Sequence, residues 1–239
     1  SVVGDNMSVV EVRNLEHVFP DGTKVKIRGK FSVSKGEKVA IVGGNGSGKT
    51  TLLNHIVGLL RATGGSVRVF GFDPFKEFAK IVGKVGIVVQ DPEEQLIGPL
   101  VWDDVAFSLR NFGFDKLEIE KRVSEAIKKL GIGHLKNRVP HYLSGGEKKK
   151  VAFAGAYVLR PELMVLDEIT AGLDFRSKGR VLDLINELNE KYGSTVVLVT
   201  NEMDVIKDFD RVYLIEGGKF AFAGSHRELC KRKFEVCRH

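Results

Sequence analysis

The stretch VAIVGGNGSGKTTLLNHIVGLL, residues 39–60, decides the fold. Its first four residues, Val39 to Val42, read as a strand buried on both faces. Gly43-x-x-x-x-Gly48-Lys49-Thr50 follows at once, and a helical pattern begins where it ends. Between a strand and a helix, such a loop turns backbone N–H groups inward around phosphate oxygens. Gly43, Asn45, Gly46, Ser47, Gly48 and Thr51 make up that cradle. Lys49 reaches the outer phosphates, and Thr50 offers its hydroxyl to Mg²⁺. Alone, the loop specifies a nucleoside triphosphate without separating a kinase, a GTPase or an ATPase.

Three further apolar runs read as doubly buried strands: Val85 to Val89, Leu163 to Leu166 and Thr195 to Val199. Such runs, separated by helical segments, argue for an α/β fold with a mostly parallel sheet covered by helices. The segments MSVVEVRNLEHVF, TKVKIRGKFSV and GGSVRVFGFDP alternate as antiparallel strands do, and RVYLIEGGKFAFAG reads as a hairpin turned by Gly217-Gly218. A smaller antiparallel layer is therefore expected beside the parallel core. Between Asp91 and Pro161 the pattern is helical. Ile119, Val123, Ala126, Ile127 and Leu130 fall on one helix face. The organisation expected is one domain over residues 1–239, its core and antiparallel part at about 7–90 and 161–239 and its helical insert at about 91–160.

Two more constellations bear on chemistry. Asp167 and Glu168 end the apolar run Leu163 to Leu166, where an acid beside a phosphate loop can hold Mg²⁺ and a second acid can orient or deprotonate the attacking water. In LSGGE, Ser144 with Glu147 forms a capping box at a helix start. The free N–H groups of Gly145 and Gly146 and the helix dipole also suit an anion. Because the chain already cradles its own nucleotide at residues 43–51, this second start makes most sense as serving the nucleotide of another subunit.

The 239 residues carry a formal charge of +6, 43% hydrophobic and 28% charged residues. That composition excludes a disordered chain. Basic residues are spread along the sequence, so nucleic acid is not the expected partner, and Lys148-Lys149-Lys150 reads as a solvated helix face. No apolar run approaches the roughly 20 residues of a membrane-spanning helix. Cys230 and Cys237 lack metal-site spacing and read as free thiols. Met7 reads as the natural first residue, with no signal peptide before it.

Taken together, these motifs resemble those of an ATP-binding cassette ATPase, and the resemblance covers nearly the whole chain. Gly43 to Thr51 resembles the Walker A motif, Leu163 to Asp167 the Walker B motif and Leu143 to Glu147 the signature. Glu168 matches the catalytic glutamate, Ala171 to Asp174 the D-loop and Gln90 the Q-loop glutamine. The resemblance thus implies Mg²⁺ held by Thr50, Gln90 and Asp167, and an ATP contact for Asp174. Phe19 falls where an aromatic residue stacks on adenine. Two such domains sandwich two ATP molecules head to tail, so a second ATPase subunit is implied. Gln95, Val101 to Phe107 and Asn111 resemble the energy-coupling-factor subgroup. That likeness implies a transmembrane coupling subunit, a substrate-binding membrane subunit and a peripheral place at the cytoplasmic face of the membrane. Asp91, Glu93 and Glu94 are then expected to border the groove that receives the coupling subunit.

Two departures stand out. Ile169 occupies a position that is commonly proline, a mild change. The larger one is Asn201, which follows Thr195 to Thr200 where the family places a histidine near the γ-phosphate. His17, His55, His134, His141, His226 and His239 all lie outside the interval 142–225, so no register shift restores the motif. An amide can donate to a phosphate oxygen but cannot carry a charge or shuttle a proton. The expectation is a chain whose own ATP site binds nucleotide and hydrolyses it slowly, paired with a different cassette. An introduced replacement of the histidine and an amide that serves adequately are the alternatives.

Overall fold

Every residue of β3 (Lys38–Gly43) is buried, and the reason is its place in the sheet. It pairs in parallel with β7 (Thr195–Val199) on one side and β8 (Arg211–Glu216) on the other. Beyond β7 come β6 (Leu163–Asp167) and β5 (Val85–Val88), also parallel. The four runs expected as buried strands are therefore four neighbours in one sheet. The computed structural model describes residues 8–236; Met7 and Cys237 lie outside them.

Side chains alternate across these strands, and the two faces enter different cores. Ala40, Val42, Met164, Leu166, Val196 and Leu198 pack toward α2 (Val101–Asn111), α3 (Lys116–Leu130), α4 (Gly145–Tyr157) and α5 (Phe175–Tyr192). Val39, Ile41, Leu163, Val165, Val197 and Val199 pack on the opposite side, around Leu52, Leu53 and Ile56 of α1 (Lys49–Ile56). The far wall of that second core is β1 (Ser8–Val18) and β2 (Lys24–Ser34), with β4 (Gly64–Val69) at the edge. Helix α1, which starts at the phosphate loop, is thus clamped between the parallel strands and the antiparallel layer.

The antiparallel layer is not a separate sheet. Among the described residues the strand order is β4-β1-β2-β9-β8-β3-β7-β6-β5, where β9 (Lys219–Gly224) forms the expected hairpin with β8. Its turn residues Gly217 and Gly218 have φ of 57° and 68°, the left-handed geometry of a two-residue hairpin. Only the pair Arg28 and Lys219 joins β2 to β9. An aromatic cluster reinforces this thin seam. The Phe31 ring lies 4.7 Å from that of Tyr213 and 5.6 Å from that of Phe220, and the Tyr213 hydroxyl donates to Ser32 O at 3.2 Å.

Helix α3 buries Val123, Ala126, Ile127 and Leu130 on one face, and Ile119 packs against them. Helices α2, α3 and α4 do not have a core of their own, since Val105, Leu130 and Phe153 belong to the same cluster as Leu166 and Leu198. Helix α6 (His226–Val236) completes the order, and among the described residues no helix is long and apolar enough to cross a membrane. Cys230 is a half-exposed free thiol.

Because Phe31 is fully buried and spans the seam, Phe31→Ala is expected to cost about 3–5 kcal/mol, measured by urea denaturation. A loss below about 1 kcal/mol would show that the seam does not depend on this ring.

Candidate nucleotide site

The loop between β3 and α1 is shaped by close backbone approach. A Cβ at Gly43 would sit 2.6 Å from Ile215 O and 2.7 Å from Ser47 Oγ, so no side chain fits there. Gly46 and Gly48 have φ of 75° and 97°, a region glycine enters freely. Lys49 is buried, and its Nζ donates to the carbonyls of Gly43 at 2.7 Å and Gly44 at 2.9 Å. The ammonium is therefore held within the loop, on the side where phosphate oxygens would lie. Asn45 and Thr51 belong to the same loop and helix start.

Thr50 and Asp167 meet, with Thr50 Oγ1 donating to Asp167 Oδ2 at 2.8 Å. Asp167 is 4% exposed, and its Oδ1 has no hydrogen-bond partner among the described residues; Ser47 Oγ is likewise unpaired. Burial raises the Asp167 carboxyl above its ordinary range and the charge of Glu168 adds to that, while the Thr50 hydrogen bond, Lys49 and Lys149 oppose it. Two hard oxygens beside the loop, one of them a buried carboxylate oxygen lacking a partner, fit a Mg²⁺ ion.

Glu168 follows in a left-handed conformation, φ 48°, rare for a residue with a side chain. Its N–H donates to Val199 O at 2.9 Å, and its Oε2 accepts from Gln90 Nε2 at 3.3 Å. Asn201 is exposed at the end of β7, and its Oδ1 accepts a long bond of 3.4 Å from Gly43 N–H. With Gly43, Gly44 and Asn45 it lines a cavity of 650 Å³. Gln90, Glu168, Asp167, Thr50 and Asn201 are thus gathered around the loop.

The remaining candidates lie at other elements. Phe19, just past β1, sets its ring edge-on against His17 at 4.4 Å, and His17 Nδ1 is 3.1 Å from His55 Nε2 on α1. Ser144, Gly145, Gly146 and Glu147 open α4 with the expected capping box, in which Glu147 Oε2 accepts from Ser144 N–H at 2.8 Å. Asp174 caps α5, accepting from Ser177 N–H at 3.0 Å and Ser177 Oγ at 2.6 Å.

One reading is corrected. The lysines 148–150 are not a solvated face. Lys148 Nζ donates to Glu93 Oε1 at 2.8 Å, Lys149 Nζ to Glu168 O at 3.0 Å and Ala171 O at 2.7 Å, and Lys150 Nζ to Ser177 Oγ at 3.4 Å. Asp91 and Glu93 are exposed, and Glu93 lines a groove with Pro140, His141 and Lys148, while the Glu94 side chain lies outside the described residues. Asp91 accepts from Glu93 N–H at 3.2 Å, and Glu93 is taken by Lys148. The acid that lines the groove between β5, α2 and α4 is Asp104, 8% exposed, its Oδ1 accepting from Ile97 and Gly98 N–H. Its Oδ2 has no partner among the described residues, and burial raises its carboxyl. Gln95, beside it, accepts from Val89 N–H at 3.0 Å and donates to Ile87 O at 3.3 Å, closing the edge of β5.

A phosphate loop, a buried strand-end acid and a capped LSGGE helix start share one mixed α/β fold. Residues 28–171 match the family model described as ABC transporter. The chain belongs to the ABC transporter ATPase family. It is 42% identical to the energy-coupling factor transporter ATP-binding protein EcfA of Methanocaldococcus jannaschii, over 93% of this chain and 81% of that protein. The EcfA of Methanothermobacter thermautotrophicus is also 42% identical, over 92% of this chain and 72% of its own length. Among solved structures, cbiO1 of Clostridium perfringens, described as part of the ABC transporter complex cbiONQ, is 35% identical with a TM-score of 0.79, covering 97% of this chain and 93% of that one. A bacterial ABC transporter cassette solved as a dimer is 28% identical with a TM-score of 0.82, covering 91% of this chain and 99% of that one. The cassette is thus close to the energy-coupling-factor ATPases and has the mixed α/β ABC fold.

The buried Asp167 gives a pH prediction. Its folded carboxyl titrates higher than the unfolded one, so the ionised group subtracts stability at neutral pH. The deficit is absent below the unfolded value of about 3.9 and grows as pH rises through the folded value. Asp167→Asn keeps an oxygen for Thr50, so it is expected to melt at or above the wild-type temperature at pH 7, with the difference shrinking as pH is lowered. Thermal melts from neutral to acid pH test this, and a variant that melts lower at pH 7 would refute it.

Proposed function

We propose that this ABC ATPase is the ATP-hydrolysing subunit of an energy-coupling-factor importer of metal ions or vitamins. One observation carries the proposal: Gln90 Nε2 reaches Glu168 Oε2 at 3.3 Å. Gln90 stands where the chain leaves the sheet for the helical insert, so a displacement of the insert is felt at the acid beside the nucleotide. An ATPase built to do mechanical work on a partner needs such a link.

Within the site, residues 43–51 bind the phosphates through backbone N–H groups, and Lys49 transfers its donors to the outer phosphates. Phe19 offers a ring face to the base. Thr50 and Asp167, with Gln90, are the residues that would hold Mg²⁺, which when bound neutralises charge on the phosphates. Glu168 orients the attacking water and draws off its proton. The N–H groups of Gly145 and Gly146 serve the nucleotide of a second cassette at the Ser144 helix start, with Glu147 bracing that start and Asp174 the start of α5. The EcfA relatives and the cbiONQ component support a partnership with membrane subunits. The groove over Asp104 suits a coupling segment that brings a basic side chain to the unpaired Oδ2. A substrate-binding membrane subunit completes the assembly, and the chain sits peripherally at the cytoplasmic face. Affinity purification of the tagged chain from detergent-solubilised membranes is expected to recover a polytopic membrane protein. Recovery with ribosomes or DNA instead would overturn the assignment.

Asn201 lowers the hydrolytic capacity of the chain's own site and favours pairing with a different cassette. Removing one preorganised contact in a transition state costs about 10²- to 10³-fold. Asn201→His is therefore expected to raise single-turnover hydrolysis by the purified dimer by about 10²-fold, whereas a rise below about threefold would mean the amide serves adequately.

A further inference from the structure

Glu168 carries the reaction in the reading above, yet its backbone sits in a conformation that residues with a side chain avoid, φ 48°. Something must hold it there. Its N–H is tied to Val199 O at 2.9 Å, which fixes the end nearest the sheet. The other end is a tight turn, in which Ala171 N–H donates to Glu168 O at 3.2 Å. Lys149, on the helix that begins at the signature, places Nζ on both exits of that turn: 3.0 Å from Glu168 O and 2.7 Å from Ala171 O. These are charge-assisted bonds, about twice as strong as neutral ones, to two acceptors three residues apart. No neighbouring lysine does the same: Lys148 goes to the Glu93 carboxylate and Lys150 to the Ser177 hydroxyl.

We propose that Lys149 is a positioning residue for hydrolysis: from the signature helix it clamps the Glu168–Ala171 turn and thereby aims the Glu168 carboxylate. Lys149 touches neither nucleotide nor attacking water. It acts by converting the position of α4 into the orientation of Glu168. The signature end of α4 faces the partner's nucleotide while its second turn grips the chain's own catalytic segment. Seating of the partner's nucleotide at Ser144 and alignment of this chain's Glu168 are therefore coupled through about one turn of helix. The proposal rests on the assignment of Glu168 as the residue that activates water.

Lys149→Met keeps the aliphatic stem and removes the ammonium; Lys149→Arg keeps the donors. In the purified full-length dimer, Lys149→Met is expected to lower kcat by about tenfold to 10²-fold, as small misplacements of a reacting group do. KM and equilibrium affinity for ATP stay within about twofold of wild type, since ground-state binding is untouched. Lys149→Arg restores kcat to within about threefold. Hydrogen exchange adds a readout independent of turnover: amides of residues 168–174 exchange faster in Lys149→Met and return toward wild type in Lys149→Arg. Unchanged exchange in this segment overturns the clamp. Faster exchange with unchanged kcat overturns the positioning role of Lys149 and leaves the role of Glu168 standing, whereas an unchanged kcat in Glu168→Gln overturns that role. A fall in kcat matched by an equal loss of ATP affinity, or one that Arg does not rescue, also refutes it.

Discussion

The site depends on the register of four parallel strands. Val199 of β7 pairs with Ile41 of β3 on one side and with Asp167 of β6 on the other, while Gly43 pairs with Ile215 of β8. The strands therefore end at the same level, and the phosphate loop, the acid pair and the Asn201 turn leave the sheet side by side. Register is enforced by burial on both faces. A slip of one residue would send the Val39 and Ile41 side chains into the helical core and Ala40 and Val42 into the α1 core, which have different shapes and partners. It would also pull Asp167 away from Thr50, so their 2.8 Å hydrogen bond reports the correct alignment.

Much of this was legible in the residues because the informative features are local. Continuous apolar runs mark strands buried on both sides, and a glycine-rich turn before a helix needs no tertiary contact to be recognised. The β2–β9 seam was not legible, since a single pairing and three aromatic rings from distant segments leave no pattern in any one window. The lysines at 148–150 were misread for a related reason. Lys149 bonds to main-chain carbonyls, which every residue has, so its target has no sequence signal. Asp104 was different: Val101, Asp104, Val105 and Leu109 fall at the spacing of one helix face, and all four are buried. The periodicity that marks an apolar stripe would have marked the acid within it.

The site also holds features that the rest of the molecule must stabilise. A buried carboxylate with one unpaired oxygen and a left-handed Glu168 lie side by side, as strained and underpaired groups do at functional positions. The surroundings answer with fixed donors: Thr50 to Asp167, Gln90 to Glu168 and Lys149 to the turn. Each donor comes from a different element, α1, the exit of β5 and α4. The acids therefore sense the nucleotide loop, the root of the insert and the signature helix at once.

The Asn201 turn is secured without Asn201. Glu202 N–H donates to Thr200 Oγ1 at 3.0 Å, Glu202 Oε2 accepts from Thr170 Oγ1 at 2.6 Å, and Glu202 Oε1 pairs with Lys178 on α5 at 2.7 Å. These bonds anchor the end of β7 to the segment after Glu168 and to the helix beyond it. The Asn201 side chain adds only a long contact to Gly43 N–H and projects into solvent. A side chain that carries so little of the local structure is free to differ in chemistry while the backbone beneath it stays in place. The departure at residue 201 is accordingly one of proton and charge supply at an intact scaffold. The slower hydrolysis proposed for this chain's own site would therefore require no change of backbone.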